Sequence, residues 1–110
     1  MKNEIDKFVN ACIEKGRFEE LGDSKSGNKC YKIIRSVYEQ LRDSGRLNEL
    51  TTLLEHENPY VRLWASSYAL QIVPKQAEET LEKLSAIKSV MAGFSAKITL
   101  QEWKKGNLKF

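Results

Sequence analysis

Apolar residues recur at helical spacing along almost the whole chain. Ile5, Phe8, Val9, Cys12 and Ile13 follow the i, i+3, i+4 rule, which predicts an amphipathic helix over residues 3–15 with Gly16 as its stop. Gly22 to Gly27 (GDSKSG) reads as a loop by composition. A second helix is expected from Lys29 to Ser44, with Cys30/Tyr31, Ile34, Val37/Tyr38 and Leu41 inward and Gly45 ending it. Leu47, Leu50, Leu53 and Leu54 predict a short third helix.

The clearest signal is the run Asn58 to Leu70. Asn58 suits an N-cap, because its side-chain oxygen can accept from an unpaired N–H of the first turn. Pro59 fits the first helical position, where the missing N–H costs nothing. Val61, Trp64, Ala65, Tyr68, Ala69 and Ile72 then share one face, and Leu63 and Leu70 add a second edge. A helix apolar on more than one side is a central helix. Pro74 interrupts this pattern and suits the first turn of a fifth helix, with Ala77, Leu81, Leu84 and Ile87 inward. A sixth helix is expected from about Val90, with Met91, Phe94, Ile98, Leu100 and Trp103 as its buried candidates. Gly93 weakens its first turn and Gly106 stops it.

No segment alternates with period two, so the fold class is all-α, a single domain over residues 1–110. Six helices with short links fall into three consecutive hairpins. The last two hairpins show a faint repeat at an offset of about thirty residues, in which Trp64 matches Phe94 and Leu54 matches Leu84. Asn58-Pro59-x-Val61-Arg62-x-x-Ala65 resembles the turn and second helix of a HEAT repeat, which implies a HEAT/armadillo-like stack. The chain also resembles a family of small, mostly bacterial proteins known as a domain of unknown function with a HEAT-like fold. Three stretches carry that likeness: Gly22-Asp23-Ser24 with Asn28-Lys29 and Tyr31, the run Asn58–Leu70, and Phe94-Ser95-Ala96-Lys97-Ile98-Thr99-Leu100-Gln101-Glu102-Trp103-Lys104-Lys105-Gly106. The resemblance implies a fold and brings no catalytic motif. Some relatives resemble immunity partners of secreted bacterial toxins.

Composition narrows the chemistry. Eighteen Lys and Arg against fifteen Asp and Glu give a net charge of +3, which permits nucleic-acid binding without requiring it. The basic residues cluster in Lys25, Lys29, Lys32, Arg35, Arg42 and Arg46, and again in Lys97, Lys104, Lys105 and Lys109. Cys12 and Cys30 lie on apolar helical lines and read as buried free thiols of a reducing compartment. Met1 opens a polar segment without a signal-peptide core, and no window reaches the length of a membrane span, so a cytoplasmic location is expected.

Catalysis finds no constellation. The one histidine, His56, stands between Glu55 and Glu57 without the i, i+4 spacing that aims two ligands at one metal. The cysteines sit in apolar lines where a thiol stays protonated, and Glu19-Glu20 and Glu78-Glu79 diverge on a helix. No Gly-rich phosphate loop is present. The chain is therefore expected to be no enzyme and to need no cofactor or metal.

The expected function is that of a non-catalytic protein-binding module with one dedicated partner, of which an immunity protein neutralising a toxin is one version. The alternative is a nucleic-acid-binding domain that grips phosphates with Lys25, Lys29, Lys32 and Arg35 on the second helix. Tyr60, off the apolar line of its helix, is the candidate aromatic anchor for a partner. Asn58, Arg62, Trp64 and Trp103 are read as architecture. Arg62 is expected to bond Asn58, or a carbonyl or carboxylate of a neighbouring hairpin, and the two tryptophans to pack in the core or at its rim.

Overall fold

The computed structural model describes residues 3–110; Met1 and Lys2 lie outside the described residues. The chain is all-helical. In order come α1 (Glu4–Leu21), α2 (Ser24–Asp43), a 3-10 helix (Leu47–Leu53), α3 (Pro59–Ala69), α4 (Pro74–Ser85) and α5 (Met91–Lys104).

Each boundary has a local cause. Asn3 starts α1 by accepting from the Asp6 N–H at 3.0 Å. The helix does not stop at Gly16, as its composition suggested, but at Gly22, whose φ of 74° is the left-handed conformation that closes a helix cheaply only with glycine. Asp23 then caps α2 at once, accepting from the Ser26 N–H at 3.1 Å. The expected loop over residues 22–27 is thus a two-residue turn, and the rest of it belongs to α2. A short turn between two long helices forces them antiparallel, and α1 and α2 pack along each other.

The third helix is 3-10 rather than α. Its hydroxyls compete for the backbone: Thr51 and Thr52 donate to carbonyls three residues back, at 2.7 and 2.9 Å. Arg46 ties its start to α1, pairing with Glu49 at 2.7 Å and Glu4 at 3.5 Å. The His56 Nδ1 then accepts from the Asn58 N–H at 3.0 Å, so the histidine shapes the turn into α3. Asn58 caps α3 through the N–H groups of Tyr60 (2.8 Å) and Val61 (3.2 Å).

Helix α3 is the hub. It packs against α1, α4, α5 and the 3-10 helix, and buries Tyr60, Val61, Leu63, Ala65, Ser66, Tyr68 and Ala69. The buried hydroxyl of Ser66 donates to the Arg62 carbonyl at 2.6 Å, which satisfies it within the helix. Around α3 the core is closed by Phe8, Ile34, Leu41, Leu50, Leu70, Leu81 and Leu84. Tyr38 lies stacked on Tyr68 with ring centroids 4.0 Å apart, and Phe8 meets Tyr68 edge-on. The Tyr38 hydroxyl accepts from the Gln71 amide at 3.0 Å, so the large aromatic is buried without an unmet polar atom.

Candidate partner-binding surface

The sequence-predicted residues do not assemble into one site. Lys25, Lys29 and Lys32 are exposed along the outward side of α2, opposite its buried line Gly27, Cys30, Ile34 and Leu41. Arg35 turns a quarter of the helix away, to lie over the Tyr38 ring at 5.0 Å and beside Glu39 at 3.4 Å. Tyr60 is no exposed anchor: only 5% of it is accessible. Its ring fills the space over Gly16, where an added Cβ would stand 2.1 Å from the Tyr60 Cδ2. Its hydroxyl donates to the Glu20 Oε2, which also accepts the Met91 N–H at 2.9 Å. One carboxylate of α1 thereby holds α3 and the first residue of α5. The Tyr60 hydrogen bond and the Met91 N–H together hold the Glu20 carboxyl below the usual carboxylate range, while burial first, and the facing carboxylate second, push the Tyr60 phenol up.

Among the residues read as architecture, Asn58 is the cap described above. Trp103 is half-buried, donates through Nε1 to Glu78 at 3.0 Å and meets the Phe110 ring edge-on. Trp64 is half-buried against the core, but its Nε1 is buried without a partner. Arg62 likewise lacks the expected bond at Nε, which is buried and unpartnered beside a polar cavity shared with Glu55, Glu79 and Lys83. Cys12 and Cys30 are free and buried, and burial pushes both thiols up. Among the described residues no cluster of three or more His, Cys, Asp or Glu is placed to hold a metal ion, and no helix is long and apolar enough to cross a membrane.

The surface that breaks expectation is α5. Met91, Phe94 and Ile98 were expected to be buried, yet they are 48%, 63% and 43% exposed. They share one face at i, i+3 and i+7. The reason lies on the other side of the helix. Ala92, Gly93 and Ala96, with Leu100, form the buried line, and these small residues let α5 press close to its neighbours. A Cβ on Gly93 would stand 1.8 Å from the Ile87 carbonyl oxygen, so the contact is backbone on backbone. With the small face inward, the large face must point out. Sequence reasoning followed the large residues. The signal available was the Ala92-Gly93-x-x-Ala96 spacing, the mark of a close helix approach.

The exposed stripe has a charged border. Lys97, one turn on from Phe94, flanks one edge of the stripe, Lys104 continues that edge and Lys105 follows at the end of the helix, the last two with side chains 60% and 65% accessible. Their nearest carboxylates, Glu82 and Glu102, stand off at 3.9 Å, so these cations are little neutralised. Beside Phe94, a shallow cavity of about 290 Å³ opens between Ile87, Val90 and the stems of Lys88 and Lys97. The α5 face is thus apolar along its centre, cationic at its edge, and notched next to its largest side chain.

A short all-helical domain built around one central helix is the class that this geometry defines. The chain belongs to the family described as a domain of unknown function, DUF2019, whose family model matches residues 3–103. It is similar to the protein RPA1889 from Rhodopseudomonas palustris CGA009, known as a crystal structure, with a TM-score of 0.86 and 22% identity over 100% of this chain and 95% of that one. That likeness shows the fold. No curated protein matches the chain.

Proposed function

We propose that this protein is a non-catalytic protein-binding module that serves one dedicated partner, and that it engages the partner through the outer face of α5. The observation that carries this reading is the exposed stripe Met91, Phe94 and Ile98 on a well-packed helix. Single exposed apolar residues are ordinary, whereas three on one face, around a Phe that is two-thirds open, are the mark of an interaction surface. The lysine border supports an occupant with an apolar centre and an acidic rim. An immunity protein that neutralises a bacterial toxin is one form of this arrangement. The three packed pairs, α1 with α2, the 3-10 helix with α3, and α4 with α5, are read as a short HEAT-like stack that holds α5 rigid. Two buried free thiols favour a reducing cytoplasm as the setting.

Capture from the native cell on immobilised protein, followed by mass spectrometry, tests the reading when paired with variants. The unchanged protein is expected to retain one stoichiometric protein. Phe94→Asp should abolish that capture while leaving the melting temperature in place, because the side chain it replaces is exposed. Loss of a central aromatic anchor typically costs about 2 kcal/mol or more of binding, roughly thirtyfold. Reversal of Lys97, Lys104 and Lys105 to Glu should weaken capture and its salt dependence, and reversal of Lys25, Lys29 and Lys32 should not. Retained capture by Phe94→Asp would sink the α5 assignment. Co-purifying nucleic acid lost on reversal of Lys25, Lys29 and Lys32 would replace the reading with that of a phosphate-gripping domain.

A further inference from the structure

A second feature lies on a flank of α5. A groove runs between α2, α3, α5 and the C-terminal residues 107–110. Its larger half, about 320 Å³, is walled by Asn28, Tyr31, Leu63, Trp64, Ser95 and Thr99. Its smaller half, about 190 Å³, adds Arg35, Lys109 and Phe110, and the two halves share Tyr31, Trp64, Ser67 and Thr99. The larger half reaches the lower end of the size range of small-molecule sites, which begins at roughly 300 Å³.

Three properties point to a ligand. The first is aromatic: the Tyr31 ring, 39% exposed, lies 5.7 Å from Trp64, and the pair forms one side of the groove. The second is an unmet donor. Trp64 Nε1 is buried without an acceptor, whereas the other indole, Trp103, has found Glu78. A buried donor left unpaired carries its full desolvation cost, which an incoming acceptor would return. The third is charge. Lys15 at the larger half is already neutralised by Glu19 at 2.8 Å, but the smaller half is lined by the Arg35 and Lys109 side chains and by no acidic side chain. Arg35 pairs with one carboxylate, Glu39 at 3.4 Å, which is outside the groove wall, and lies over the Tyr38 ring. Ser67 spends its hydroxyl on the Leu63 carbonyl, so the polar wall facing a ligand is that of Asn28, Ser95 and Thr99.

We propose that this groove is a binding site for a small anion with a flat body. The anionic head lies at Arg35 and Lys109, the planar body lies against Tyr31 and Trp64, and an acceptor on that body receives a hydrogen bond from the Trp64 Nε1–H. Because Nε1 is buried, an acceptor reaches it only as the side chains around it move on binding. A nucleoside monophosphate and an aryl carboxylate share this chemistry, and the test separates them. Ser95 and Thr99 stand on the flank of α5, turned away from Phe94, with Ser95 bordering the outer face one turn on from Met91.

Nitrogen–proton correlation NMR on the full chain reads the site directly. Two indole cross-peaks are expected, and Trp64→Phe identifies one of them. Four probes are titrated: adenosine monophosphate, its neutral counterpart adenosine, indole-3-acetate, and its neutral counterpart indole-3-acetamide. At least one anionic probe should move the Trp64 peak saturably while the Trp103 peak stays, and its neutral counterpart should bind about tenfold more weakly or less. Whichever anion binds names the source. Arg35→Gln should lower that affinity about tenfold, a loss of about 1.4 kcal/mol. Lys109→Gln, on an exposed residue, should lower it several-fold and keeps the charge test available should Arg35→Gln perturb packing on Tyr38. The proposal is overturned if neither anion moves the Trp64 peak, if neutral counterparts bind equally, or if both charge variants bind as the unchanged protein does.

Discussion

At the scale of the residue, Gly16 shows how a sequence cue is turned to another use. Glycine inside a helix ordinarily costs about 1 kcal/mol relative to alanine, so Gly16→Ala should stabilise α1 if the position only shapes the backbone. The Tyr60 ring decides otherwise. A Cβ at Gly16 would lie 2.1 to 2.7 Å from three ring atoms, and that ring cannot swing away while its hydroxyl is held by Glu20. Overpacking of this kind costs about 1–3 kcal/mol, enough to outweigh the propensity gain. Gly16→Ala is therefore expected to lower the melting temperature by several degrees. A rise would show that the Tyr60–Gly16 contact is not tight. Asn58→Ala, which removes acceptors for two N–H groups of α3, should cost about 1 kcal/mol in the same measurement.

At the scale of the element, α5 inverts the usual order of substitution costs. Phe94→Ala removes a phenyl that is mostly in water, so it should change the urea midpoint little. Gly93→Ala adds one methyl, yet it meets a backbone carbonyl 1.8 Å away and can be relieved only by parting α5 from the α4–α5 connection. The smaller change should cost more, about 2 kcal/mol or beyond. Equal midpoints for the two variants would contradict the packing described. The same helix marks the limit of what was legible in the chain. Periodicity located every helix, and capping chemistry located the start of α3 at Asn58-Pro59, because both are local. Which side of α5 faces inward is not local. It depends on Ile87 and Leu84 approaching Gly93, so Phe94 and Ile98 read as core until those neighbours are in place. Tyr60 fails for the same reason in the opposite direction: its partners, Gly16 and Glu20, lie about forty residues earlier. The basic stripe of α2 was legible as a surface, and Trp64's unmet donor was not legible at all.

At the scale of the whole molecule, one carboxylate joins three helices, which gives the fold a definite response to acid. Glu20 of α1 accepts from Tyr60 of α3 and from the first N–H of α5. Both bonds favour the ionised form, so the folded pKa of Glu20 is held below its ordinary 4.5. The folded state then binds fewer protons than the unfolded chain in that range. The contribution of Glu20 is complete above about pH 4.5 and is lost as pH falls through its folded value. Asp23 at the α2 cap is lowered by the Ser26 N–H, and Glu49 by its bond to Arg46, so both act in the same direction. Tyr68 sets the alkaline side: burial pushes it up to about 12, so its contribution is whole below pH 10 and is lost as pH rises toward 12. Glu20→Gln keeps an acceptor for both bonds and removes only the charge. Melting temperatures of the two proteins across pH should therefore differ most near neutrality and converge only as pH falls through the folded pKa of Glu20, below its ordinary 4.5, where the native carboxyl is itself protonated. A gap that stays constant with pH would mean that the amide fails to span Tyr60 and Met91, so that geometry rather than charge ties α1 to α3 and α5.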